Sequence, residues 1–256
     1  MSRVSKAARD RARLGQNFLV DRSVAARLVD LVAASAPIPL LELGAGRGAI
    51  TRHLVATGRD VLAVEIDPAL VAVLRRRFPQ VRVVPADMSR FRFADHPCAV
   101  VGNLPFGITT ERTRRVLATP GWPEAALIVQ WQVARKRAIG GSLLNAQWAP
   151  WYEFQLHGKV PARAFRPVPA QPAGLLRVHR RADPLLPARE MPRYQRFVRA
   201  VYTAPGQGLA TVVANATGRR IPVPPAAALP RDLSGVDWVR LYRAVVARPA
   251  GEPPDR

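Results

Sequence analysis

The sequence predicts an α/β chain. A doubly wound, mostly parallel sheet is expected over residues 1–179, a small all-α domain over 180–248, and a disordered tail over 249–256. Three observations carry this expectation. Short apolar runs alternate with segments of helical periodicity up to about residue 180, the βαβ rhythm of a parallel sheet. A glycine-rich turn, Gly44-Ala45-Gly46-Arg47-Gly48, sits where the first of the alternating strands passes into a helix. Beyond residue 180 strand-like runs cease and helical spacing alone remains.

Each element follows from its own pattern. Val24, Leu28, Leu31 and Val32 recur at helical spacing behind Asp21, a capping residue type, and Pro37 bounds that helix. Leu40-Leu41-Glu42-Leu43 is a short, nearly continuous apolar run and reads as a strand. Ile50 to Ala56 then reads as a helix, Val61 to Val64 as a second strand and Leu70 to Arg77 as a second helix. Val81 to Val84, Cys98 to Val101 and Leu127 to Val129 are further short apolar runs of the same kind. In the last part of the chain Arg193, Arg196 and Arg199 interleave with Tyr194, Phe197, Val198 and Val201, and Trp238, Leu241, Tyr242 and Val245 repeat a helical spacing. A Pro-rich connector, Ile221 to Pro230, separates these helices, and Pro249 to Arg256 is too polar and proline-rich to order itself.

Composition narrows the partners. With 48% hydrophobic residues in 256, the chain can bury a core of ordinary size plus a smaller one. Lys and Arg number 39 against 18 Asp and Glu, a formal charge of +21, and the lysines are Lys6, Lys136 and Lys159 alone. A GC-rich coding sequence explains arginine in place of lysine, but not a twofold excess of base over acid. Arginine forks match phosphates and base planes, so a polyanionic partner, nucleic acid foremost, is expected. Cys98 stands alone, which excludes an intrachain disulfide and a cysteine zinc cluster and fits a reducing cytoplasm. Met1 to Leu14 lacks the apolar stretch of a signal peptide, and no run approaches the ~18–20 residues that cross a bilayer. The expectation is a cytoplasmic monomer with no membrane segment and no metal.

A cofactor site is legible at the strand ends. Glycines at the turn after the first strand let backbone amides approach a ligand at a helix N-terminus. Glu65 ends the second strand, where a carboxylate can take both hydroxyls of a ribose. These two features fit NAD and S-adenosylmethionine equally, since Gly44-x-Gly46-x-x-Ala49 also satisfies a dinucleotide fingerprint. Glu42 offers a carboxylate to an amino-acid ammonium, which S-adenosylmethionine has and NAD lacks. Asp87, after the third strand, offers an acceptor for an adenine amine, although it could equally cap a helix.

Asn103-Leu104-Pro105-Phe106, after the fourth strand, completes the set. Pro105 fixes its own φ and biases Leu104 to an extended conformation, so the Asn103 amide oxygen and the Leu104 carbonyl can converge on an exocyclic amine. A planar base could stack on Phe106, a contact worth roughly 1–3 kcal/mol. Asn-x-Pro is by itself a common turn, and the weight comes from four strand ends converging in order.

Gly15-Gln16-Asn17-Phe18-Leu19, Glu42-Leu43-Gly44-Ala45-Gly46-Arg47-Gly48, Val64-Glu65-Ile66-Asp67, Ala86-Asp87 and Gly102-Asn103-Leu104-Pro105-Phe106-Gly107-Ile108 closely resemble the rRNA adenine N6-dimethyltransferases. Within these the chain is similar to the Erm group of macrolide-resistance enzymes, especially actinobacterial ones. The resemblance spans roughly residues 14 to 245. It implies a Rossmann-like class I methyltransferase fold and S-adenosylmethionine as cofactor. The substrate implied is an adenine in the peptidyl transferase loop of 23S rRNA, free or in a partly assembled large subunit, and methylation there implies macrolide, lincosamide and streptogramin B resistance. It further implies that Asn17 and Leu19 close over the cofactor, Gly44 and Gly46 pack on it, Glu65 holds its ribose and Asp87 its adenine. Asn103 would serve cofactor and substrate together, with Leu104, Phe106 and a second aromatic, Phe165, at the target base; Phe165 could equally be a core residue. The stretch Gln130 to Arg137 is similar to the family segment after the fifth strand.

Two departures stand out. Gln130-Trp131-Gln132 replaces a frequent Gln-x-Glu, and Ala170-Gln171-Pro172-Ala173-Gly174-Leu175-Leu176 replaces a Val-x-Ser-Val pattern; both concern substrate positioning. Two other functions are weighed against the Erm reading. A 16S rRNA dimethyltransferase of ribosome biogenesis is disfavoured by Ala204-Pro205-Gly206-Gln207-Gly208-Leu209, where that group is rich in Arg and Lys. A non-catalytic RNA-binding or transcription factor on the same scaffold is disfavoured by the intact motifs. Arginines at 9, 11, 13, 112, 114 and 115 and from 177 to 199 are candidate phosphate contacts, and the helical domain is expected to bind RNA.

Overall fold

Strands buried on both faces hold the middle of the molecule's larger unit, as a parallel sheet between helical layers requires. The structure, a computed structural model, describes residues 17–33, 37–88, 90–91, 97–106, 109–119, 121–224 and 227–247, with the backbone alone described for 109–112. Arginines 9, 11 and 13, the Gly15-Gln16 part of the first motif, Gly107-Ile108, the side chain at 112 and the tail 249–256 lie outside the described residues.

After the two-residue strand β1 (Phe18–Leu19) comes helix α1 (Arg22–Ala33), whose buried positions Val24, Leu28 and Val32 form the expected stripe. Asp21 caps it, accepting from the Ser23 amide at 2.9 Å and the Val24 amide at 3.3 Å. The α/β alternation then runs β2 (Leu40–Leu43), α2 (Thr51–Val55), β3 (Val61–Glu65), α3 (Pro68–Arg77), β4 (Arg82–Pro85), β5 (Ala99–Asn103), α4 (Thr109–Ala118), β6 (Glu124–Gln130) and α5 (Trp131–Ile139). Asp67 caps α3 through the Ala69 amide at 2.8 Å, with Pro68 in the first turn, where its missing amide costs nothing. Every strand expected from an apolar run is present, β2 with the expected bounds and the others shifted or extended by a few residues at their ends.

The sheet has seven strands in the order β4-β3-β2-β5-β6-β9-β7, where β7 is Tyr152–Val160 and β9 is Ala173–Arg180. β4 through β6 are parallel, with Leu43 opposite Val64 on one side and Gly102 on the other, and β9 runs antiparallel to β6. Chain order reverses between β2 and β5, so the crevice at their carboxyl ends is the topological switch point. A separate two-stranded ladder pairs β1 with β8 (Phe165–Arg166), Leu19 opposite Phe165. Neither β7, β8 nor β9 was expected. β7 alternates exposed Gln155, His157 and Lys159 with less exposed neighbours, an edge-strand pattern without an apolar run.

The chain falls into two compact units. The first comprises residues 1–138 and 154–180, and the second comprises 139–153 and 181–256. The second unit thus takes in the unexpected helix α6 (Leu143–Trp148), which precedes it in sequence. It also holds α7 (Met191–Thr203), α8 (Leu209–Thr217) and α9 (Gly235–Ala247). Its core is aromatic. The Tyr194 ring lies edge-on to Trp151 at 5.5 Å and to Tyr242 at 5.3 Å, while Tyr202 stacks on Trp238 at 5.6 Å. The Tyr194 hydroxyl donates to the Ala146 carbonyl at 2.8 Å, which ties α6 to α7. Arg193, Arg196 and Arg199 are exposed on the opposite face of α7 from the buried Tyr194, Val198 and Val201. Among the described residues no helix is long and apolar enough to cross a membrane.

Candidate active site

The glycine turn is fixed by what it hydrogen-bonds. Gly44 and Ala45 donate their amides to the Val64 carbonyl at 2.8 and 3.2 Å, which lays the loop across the end of β3. Gly46 has φ +57°, and a Cβ there would lie 3.3 Å from Phe18 Cδ1. Both conformation and space therefore select glycine. Its amide donates to Glu65 Oε2 at 2.7 Å, while Glu65 Oε1 accepts from the Ile66 and Asp67 amides at 2.9 and 3.0 Å. Three backbone amides thus hold one carboxylate in place at the end of β3, and the Gly46 bond welds the loop to the strand.

Around this turn the carboxyl ends of four strands make a cleft. Gly44 and Gly46 come from the β2–α2 loop, Val64 and Glu65 from β3 with Ile66 just after it, and Ala86, Asp87 and Met88 follow β4. Asn103, Leu104, Pro105 and Phe106 continue from β5, and Asn17 and Phe18 close the side. The Arg47 guanidinium lies 4.9 Å from the Phe18 ring centroid, pinning that aromatic over the glycine loop.

One amide in the wall is oriented by its neighbours. Asn103 Nδ2 donates to the Asn17 carbonyl at 2.8 Å, so the acceptor oxygen Oδ1 is turned the other way, and it is buried without a hydrogen-bond partner. An unpartnered buried acceptor costs about 1–3 kcal/mol, which makes it a position awaiting a donor. Leu104 donates its amide to the Ile128 carbonyl at 3.0 Å and buries its side chain, which leaves its peptide as the part facing the cleft. Phe106 meets Phe165 edge to face, with centroids 5.9 Å apart and planes at 73°.

Eight of the expected site residues line this one cleft: Asn17, Gly44, Gly46, Glu65, Asp87, Asn103, Leu104 and Phe106. Three do not. Leu19 points into the core, because alternate residues of β1 face opposite ways and Phe18 takes the cleft side. Glu42 is 1% exposed and accepts from Thr51 Oγ1 at 2.6 Å, so it bonds the start of α2 from inside the sheet rather than facing the cleft. Burial, with the nearby Glu65 charge adding to it, pushes its carboxyl up to about 8. Phe165 is fully buried and reaches the site through the edge of Phe106. The cleft is also lined by residues to which the motifs assign no role: Phe18, Val64, Ile66, Ala86 and Met88. Strand alternation from Leu19 could have found Phe18. Ile66, 41% exposed just past an acidic strand end, carries the signal of an apolar ligand face.

Known proteins share this architecture. The ribosomal RNA adenine dimethylase family matches residues 7–222. The mycinamicin-resistance protein MyrB of Micromonospora griseorubida is 49% identical over 255 residues, covering 94% of this chain and 81% of that protein. An rRNA adenine N-6-methyltransferase of Corynebacterium diphtheriae is 39% identical over 203 residues, 78% of this chain and 80% of that protein. Among solved structures, the 23S rRNA methyltransferase ErmE superposes with a TM-score of 0.79 at 32% identity, covering 90% of this chain and all of that one. The sheet order, the strand-end cleft and these likenesses together assign the chain to the ribosomal RNA adenine dimethylase family.

Proposed function

We propose that the protein methylates N6 of one adenine in the peptidyl transferase loop of 23S rRNA, using S-adenosylmethionine, and thereby confers resistance to macrolides, lincosamides and streptogramin B. The observation that carries the chemistry is the buried, unpartnered Oδ1 of Asn103 in the cleft wall. The target is supported by the likeness to ErmE, a 23S rRNA methyltransferase, and to a mycinamicin-resistance protein.

The cleft suits the cofactor. Gly44 and Gly46 present backbone without side chains, Glu65 keeps acceptor capacity beyond its three amide bonds for ribose hydroxyls, and Asp87 lies beside the apolar Ile66 and Met88, a setting for adenine. When bound, S-adenosylmethionine supplies an electrophilic methyl on a sulfonium. The chain supplies orientation. An adenine N6 has its lone pair delocalised into the ring, and its protons turn acidic as the new bond forms, so a strong base is unnecessary. Asn103 Oδ1 and the Leu104 carbonyl accept hydrogen bonds from N6–H and aim the lone pair, a catalysis by positioning and fixed dipoles, and the proton released on methylation passes to water. Phe106, backed by Phe165, holds the base flat. The adenine must be unstacked to enter, which suits RNA whose target lies in a loop and is held by backbone charge.

Expression in a sensitive bacterium should raise resistance to all three drug classes and leave aminoglycoside sensitivity unchanged. Asn103→Ala protein at equal abundance should give none. Resistance that survives Asn103→Ala would refute the assignment of the reacting amine to that amide.

A further inference from the structure

The sheet register puts a partly exposed indole near the carboxyl ends of the strands, to the side of Asn103. Asn103 pairs across the sheet with Ile128, and Trp131 follows three residues later as the first residue of α5. Its ring rests on Gly174 of β9, which pairs with Val129, so it stands one residue past the Asn103 row and two strand spacings of ~4.8 Å to the side, about 10 Å away. That is the reach of a nucleotide next to the one held at Asn103. The ring is seated from below: a Cβ on Gly174 would lie 3.2 Å from Trp131 Cε3 and 2.7 Å from Ala134 Cβ, so this position of β9 has no room for a side chain. Lys159, exposed on edge strand β7, holds its ammonium 5.6 Å from the indole centroid.

The surroundings of this pair are cationic. Gln130 to Ile139 contains no acidic residue, and Gln132, Arg135 and Lys136 of α5 are exposed. Among the described residues Lys159 forms no ion pair; Arg177–Glu124, Arg181–Glu153 and Arg240–Asp237 all lie elsewhere. A partly exposed indole beside a lysine without an acidic partner offers stacking to a base and charge to its phosphate, the two contacts by which single-stranded nucleic acid is held.

Resting on the RNA-methylation reading above, we propose that Trp131 and Lys159 form a stacking platform for a nucleotide flanking the target adenine. The exposed part of the indole takes the base and the Lys159 ammonium takes its phosphate. Trp131 is thus a positioning residue for RNA and makes no contact with cofactor.

The test uses the full-length enzyme and short 23S rRNA hairpins spanning the target loop, one intact and a set with an abasic site at each nucleotide flanking the adenine. Trp131→Leu should raise KM for the intact hairpin roughly tenfold, the size of one stacked base, with little change in kcat. S-adenosylmethionine binding, followed by calorimetry, should be unaltered, which also reports folding. Trp131→Phe should restore most of the loss, and Lys159→Gln should raise KM by a smaller, salt-sensitive factor. With one of the abasic hairpins the unaltered enzyme should lose the same factor, and Trp131→Leu should lose nothing further. Unchanged KM in Trp131→Leu, or losses that multiply on every abasic hairpin, would overturn the platform. Absence of transfer by unaltered enzyme to any 23S hairpin would overturn the function reading itself, and the platform with it.

Discussion

At Asn103 one hydrogen bond decides the polarity of the site. The Asn17 carbonyl can only accept, so it takes Nδ2 and leaves Oδ1 for a donor. The sequence made Asn103 legible because proline after the next residue constrains the turn, but its dependence on Asn17 joins residues 86 positions apart and could not be read. The same distinction explains Glu42, Leu19 and Phe165: residue type suggested a role, and side-chain direction assigned another. Glu42 now carries a pH prediction. Its folded carboxyl is raised to about 8 from 4.5, chiefly by burial, so the folded state binds a proton that the unfolded state releases. Stability is therefore full below about pH 4.5 and declines as pH rises through about 8, by on the order of 4 kcal/mol across the window from this one group. Glu42→Gln keeps an acceptor for Thr51 and cannot ionise. Denaturant melts at pH 5 and pH 8 should show a flatter profile and greater stability at pH 8 for the variant. A parallel pH dependence in both proteins would remove Glu42 as the cause.

Strands were legible where an unbroken apolar run marks them; β9, though buried at Ala173, Leu175, Leu176 and Val178, has its run broken by Gly174 and Arg177. β2, β3, β5 and β6 lie between helices, so both faces are apolar and the runs announce themselves. The edge strand β7 and the two-residue ladder of β1 with β8 have no such run, although that ladder brings Asn17 and Phe165 toward one site. Packing of the glycine turn on α3 gives a second test. Gly48 has φ +80°, and a Cβ there would come within 2.5 Å of Phe78 Cε2, a ring buried behind α3. Gly48→Ala combines a left-handed backbone, about 1–2 kcal/mol, with a displaced core ring, for a total of roughly 2–4 kcal/mol. Thermal unfolding should show a fall of at least about 4 °C. An unchanged midpoint would mean that the loop relaxes freely and that Gly48 is not packed tightly on Phe78.

Across the whole molecule, charge was the most legible property and unit boundaries the least. An expected division at residue 180 misses that residues 139–153 belong with the helices after it, since Trp151 and Ala146 find their partner in Tyr194 more than 40 positions later. No local pattern encodes such a pairing. The +21 charge makes its own prediction: if at least three phosphates are neutralised, at ~0.7 per phosphate for single strands, log affinity for an rRNA hairpin should fall with log salt at a slope of about −2 or steeper. A flat dependence would separate the arginine excess from substrate binding. The central claim, N6 methylation of one 23S adenine through Asn103, is tested most directly by mass spectrometry of ribosomal RNA from cells expressing the protein. The account predicts N6-methylated adenine at a single site in the peptidyl transferase loop of 23S rRNA, absent with Asn103→Ala. Methylation confined to adenines near the 3′ end of 16S rRNA, with unmodified 23S rRNA, would contradict it.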